Sequence, residues 1–92
     1  MIIYMGQATT LIKTAYEKSG KSYTEIHAET GIAGTMISKI LNGKQYASLE
    51  MLYKIGKSVG VKPEQVAKAW KNDKITEIDA EIEKFLNITK QK

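Results

Sequence analysis

Through Trp70 the apolar residues recur at helical spacing, interrupted at short intervals by polar and glycine positions. Ala8, Leu11, Ile12 and Ala15 predict a first helix over about residues 7–18, ended by the SGKS run. Ser22 with Glu25 three residues later has the form of a capping box, and it opens a short second helix over about residues 23–30, anchored by Ile26. Gly31 ends that helix, because glycine takes the left-handed turn at no steric cost. A third helix then begins within about three residues, with Ile32, Ile37 and Ile40 as an apolar back and Thr35, Met36, Ser38 and Lys39 as a mixed front. Two short helices so joined make a helix-turn-helix pattern.

Asn42 and Gly43 close the third helix, and a polar loop over residues 44–47 leads to Ser48, the predicted start of a fourth. Leu49, Leu52, Ile55 and Val59 give the fourth helix its buried stripe, and Gly60 ends it. Pro63 suits the first turn of a fifth helix, with Val66, Ala69 and Trp70 facing inward. Beyond Trp70 the pattern narrows: Asp73 has the form of an N-cap, and Ile75, Ile78, Ile82 and Phe85 follow in a 3-4-3 step with Leu86 beside them. The expected fold is all-α, a five-helix bundle with a C-terminal amphipathic sixth helix, divided into a domain of residues 1–71 and a segment of residues 72–92. The sixth helix needs a cover, supplied either by the chain's own body or by a second copy. The apolar start, MIIYM, reads as an untidy lead-in that frays or packs loosely.

Composition sharpens this picture by exclusion. A chain of 92 residues has room for one core. No apolar run approaches the roughly 18 residues of a membrane span, so a cytoplasmic protein is expected. Without cysteine and with His27 as the single histidine, neither disulfides nor a zinc site is expected, and no cofactor is implied. Catalysis is not expected either: no nucleophile stands with a base, and no glycine-rich loop suits a phosphate.

Charge adds a direction. Through Lys71, ten lysines stand against five glutamates, a balance of +5; from Asn72 onward, four lysines stand against five acids, a balance of −1. All fourteen basic residues are lysine, so a polyanion would be held by point charges, backbone amides and small polar groups.

The run SYTEIHAETGIAGTMISKILNGKQYASLEMLYKIGKSVGV resembles the lambda-repressor-like helix-turn-helix domains of the Cro/repressor (XRE) type. The resemblance spans about residues 11–70 and rests on the ordered series of Ile26, Gly31-Ile32, Ile37, Ile40, Asn42-Gly43-Lys44 and SLEMLYKIGKSVGV. It implies selective binding to double-stranded DNA, with the third helix in the major groove. Gly34, Thr35, Met36, Ser38 and Lys39 match positions facing base edges or flanking phosphates. Tyr23 and the loop of Asn42, Lys44, Gln45 and Tyr46 match positions that grip the backbone on either side. Lysine can donate to guanine, and a threonine or methionine methyl can meet the thymine methyl. With Lys39 as the single strong donor, DNA shape is expected to share in selectivity.

The chain departs from the pattern in three places. His27 stands where a small residue is usual, so the imidazole must widen the helix spacing or turn outward. Thr30 replaces an apolar residue, and Tyr16 with Leu41 replaces an ion pair by apolar groups, which makes Leu41 structural. The function expected is a bacterial or phage repressor acting as a homodimer, with Ile75, Ile78, Ile82, Phe85 and Leu86 as the dimerisation stripe. The alternatives are an antitoxin or immunity-type regulator whose C-terminal segment binds a partner protein, and an interaction module that binds no DNA.

Overall fold

A computed structural model describes residues 5–90, and the side chains of residues 5–87. The lead-in residues 1–4 lie outside it. Five helices follow one another without a strand among the described residues: α1 (Gln7–Ser19), α2 (Tyr23–Thr30), α3 (Gly34–Leu41), α4 (Leu49–Ser58) and α5 (Pro63–Lys90). Most boundaries have a local cause. Ser22 and Glu25 form the reciprocal capping box of α2, and Gly31 ends α2 at φ +76° with its N–H on the His27 carbonyl. The Ser48 hydroxyl accepts the Met51 N–H at the start of α4. Pro63 is the first residue of α5, where its missing N–H removes no helix bond.

The core lies where α1, α4 and the first half of α5 meet the α2–α3 pair. Ile12, Ile26, Ile37, Ile40, Leu41, Ile55 and Val66 are fully buried there, and Trp70, Tyr16 and Tyr23 pack against them. Leu41 is structural, as expected. Tyr16 lays its ring on that of Tyr23, with centroids 5.1 Å apart and planes 7° from parallel. The neighbouring Tyr23 hydroxyl, then burial, raises the Tyr16 phenol above its ordinary value, so it stays neutral.

The separate sixth helix does not exist. From Pro63 the helix runs 28 residues without a break, through Asn72 and Asp73. No glycine or proline follows Pro63, so nothing stops propagation, and a residue of N-cap type inside a nucleated helix does not restart it. Asp73 does cap a helix, but that helix is α1. Its Oδ1 accepts the Gln7 N–H at 2.8 Å and its Oδ2 the Ala8 N–H at 3.1 Å. The α1 cap residue itself, Gly6, offers no side chain, and a Cβ there would stand 2.5 Å from Asp73 Oδ2. The carboxylate thus fills the space that Gly6 leaves open. Beyond this clamp α5 extends away from the body, which gives the molecule a long dimension of 56 Å against 28 and 20 Å. No helix among the described residues is long and apolar enough to cross a membrane.

Candidate nucleic-acid interface

The helix-turn-helix begins with a turn of three residues, Gly31 to Ala33, whose geometry is set largely by polar side chains of α2. Thr30 Oγ1 donates to the Ile26 carbonyl at 2.7 Å and accepts the Ile32 N–H at 3.1 Å. His27 Nδ1 lies 2.9 Å from the Ile32 carbonyl, so it carries the proton in that bond. Both backbone groups of Ile32 are therefore held by residues that the sequence marks as departures. The imidazole is exposed, the outward of its two expected positions.

From this turn α3 presents two faces. Ile37, Ile40 and Leu41 seal one against the core, while Thr35 and Lys39, one helical turn apart, stand exposed on the other. Met36 and Ser38 flank them half-buried, and Met36 packs on the core. No side chain caps the start of α3 and no acidic residue lies in its first turn, an arrangement suited to an anion near its amides. Gly34 lies beside α2: a Cβ there would stand 3.6 Å from Tyr23 Cβ, an ordinary contact, so the site tolerates a side chain.

The chain then turns beneath Lys39. The Gly43 N–H donates to the Ile40 carbonyl at 3.1 Å and the Lys44 N–H to the Lys39 carbonyl at 2.8 Å, which ties exposed Lys44 to the end of the helix. Asn42 uses its amide as part of this closure, donating to the Ser38 carbonyl at 2.8 Å. Gln45 is half-buried, and Tyr46 turns toward α5. There Lys74 Nζ lies 5.5 Å from the centre of the Tyr46 ring and 5.1 Å from that of Trp70. Lys74 also meets Glu77 at 3.4 Å.

Thr35, Lys39 and Lys44 thus form an exposed polar edge, with Met36 and Ser38 beside it. Tyr23 at the start of α2 is half-buried against Tyr16, and Tyr46 is anchored by a lysine that sequence reasoning did not connect to the loop. Among the described residues no group of His, Cys, Asp or Glu could hold a metal ion.

Charge ties the last turn of α2 to the end of α4. Lys21 Nζ donates to both carboxylate oxygens of Glu29, at 2.8 and 2.9 Å, and to the Ser58 carbonyl at 2.6 Å. The Ser58 hydroxyl donates to the same carboxylate. The Lys21 hydrogen bond, then that of Ser58, holds the Glu29 carboxyl below the usual carboxylate range.

No curated protein and no solved structure matches the chain. The Helix-turn-helix family model matches residues 12–66, which take in α1 from Ile12 onward, α2 through α4, the turn before α3, and the start of α5. With more than half of its 92 residues so matched, and with α3 turned outward from a sealed core, the chain belongs to the helix-turn-helix family of Cro/C1 (XRE) type, whose members are DNA-binding transcription regulators.

Proposed function

We propose that this regulator is a sequence-selective repressor that binds a two-fold operator as a homodimer, with α3 of each copy in the major groove. The observation that carries the reading is the division of α3: Ile37, Ile40 and Leu41 fix its back, so Thr35 and Lys39 are held rigidly outward. Lys39 supplies the strong base-edge donor, Thr35 and Met36 offer methyl groups to thymine, and Ser38 stands at the flank. Lys44, with Tyr23, Gly34, Asn42, Gln45 and Tyr46 around the rim, positions the phosphate backbone. Half-sites about one turn of DNA apart, roughly 34 Å, suit a two-fold pair.

Binding to duplex DNA from the chain's own promoter region, measured by anisotropy against random duplex, tests the reading. Selective binding that falls steeply with salt is expected. Lys39→Glu with Lys44→Glu should weaken it by at least about tenfold while circular dichroism stays unchanged, since both side chains are exposed. Unchanged affinity in that folded variant, or equal affinity for random duplex, would sink it.

A further inference from the structure

The helix that faces the DNA starts weakly. The cap residue of α3, Ala33, has no side-chain oxygen for an amide of the first turn, whereas α2 and α4 each begin on a serine whose hydroxyl accepts one. Its first residue is Gly34, which favours a helix less than any residue but proline. Thr35 and Met36 come next, in the turn where a helix frays first.

The turn in front of this start is held instead. The Gly31 N–H donates to the His27 carbonyl at 2.8 Å, and the Ile32 N–H to Thr30 Oγ1 at 3.1 Å. The Ile32 carbonyl accepts from His27 Nδ1 at 2.9 Å, and the Ala33 carbonyl accepts the Ile37 N–H at 3.0 Å. Because a peptide unit is planar, each of these bonds fixes a whole unit. Thr30 fixes the unit between Gly31 and Ile32, and His27 the unit between Ile32 and Ala33, on which α3 begins.

We infer, resting on the operator reading above, that His27 is a positioning residue for DNA selectivity: by holding the Ile32 carbonyl it sets the direction in which α3 starts, and so aims Thr35 and Met36 at the bases. The imidazole does this without touching DNA. The bond replaces from α2 the restraint that α3 lacks at its own cap. Lys39 depends on it less, since it lies between the buried Ile37 and Ile40 and the equally buried Leu41. Loss of the bond therefore blurs the reading near Thr35 and Met36 and spares the lysine charges, which dominate binding to any duplex. Selectivity falls while general affinity stays.

His27 is the single histidine, so nitrogen chemical shifts of its ring need no assignment. In the neutral ring the proton is expected on Nδ1, and a proton on Nε2 overturns the proposal. Two variants separate the bond from the bulk of the ring: His27→Asn keeps an N–H close to the place of Nδ1, and His27→Ala removes it. Exchange of the Ile37 amide should speed about fivefold in His27→Ala, the worth of one ordinary hydrogen bond, and keep the parent rate in His27→Asn. The ratio of affinities for promoter and random duplex should fall at least about fivefold in His27→Ala and stay within about twofold of the parent in His27→Asn. Affinity for random duplex and its salt slope should be unchanged in both, which a general loss of fold, checked by thermal melts, would not allow. A parental ratio in His27→Ala, or a His27→Asn protein as poor as His27→Ala, overturns the proposal. A parent without preference for the promoter duplex sinks the operator reading and the selectivity step with it, whereas parental amide exchange in His27→Ala sinks the brace alone.

Discussion

The two halves of α5 share one unbroken helix and almost nothing else. In the first, Val66 is fully buried, Ala69 and Trp70 pack on the core, and Asp73 holds the start of α1. In the second, from Ile75 to Asn87, every side chain is exposed. The contrast separates two causes that a helix diagram merges. Continuity is local: a helix already nucleated needs only the absence of breakers to go on. Position and stability are tertiary, and they end where contact with the body ends. A tail of that length would be marginal as an isolated peptide, so it draws its order from the helix behind it.

The sharpest way to break this comparison is to remove a buried side chain from the body and an exposed one from the tail. Ile55→Ala should lower stability by about 3 kcal/mol in urea unfolding, the cost of lost apolar transfer and a cavity. Ile82→Ala should leave the dilute monomer within about 0.5 kcal/mol of the parent. Equal losses would mean that the tail is packed and the two halves are alike. A smaller effect tests where the boundary lies. Asp73→Ala removes two charge-assisted bonds from the α1 amides and should cost about 1–2 kcal/mol. Gly6→Ala should cost a similar amount by displacing the same carboxylate, although it lies 67 positions away along the chain. A neutral result for Gly6→Ala would remove the clamp from the account.

The smallest effect concerns pH and lies wholly in the body. Because the folded Glu29 carboxyl is held below its ordinary value near 4.5, its contribution is complete above that value and is lost as pH falls through the lower, folded one. Glu29→Gln should flatten the acid side of the stability curve slightly, as fits an exposed pair. Thermal melts between about pH 3 and 6 read this directly. Identical slopes for the two proteins would assign acid loss elsewhere.

These differences explain what was legible from the residues alone. Signals that act over three or four positions were reliable: Ser22 with Glu25, Gly31, Ser48 and Pro63 stand at helix ends where their chemistry places them. The α3 face was legible too, since Ile37 and Ile40 fix which side Thr35 and Lys39 take. Asp73 was misread because its partners are 65 and 66 positions away, and the local pattern of a cap is the same whichever helix it serves. Thr30 looked like a weakened core position, whereas its hydroxyl stitches the turn. Lys74 was hidden for the same reason as Asp73: only the fold brings it over Tyr46.

The clamp at Asp73 also bears on the order in which the chain can assemble. The amides at the start of α1 are synthesised 65 and 66 positions ahead of their acceptor, which is absent until residue 73 has been made and has cleared the ribosome. Until then those amides have water as their partner, and the Asp73 cap forms only when α5 docks. Docking of α5 therefore completes the first turn of α1 as well as the core.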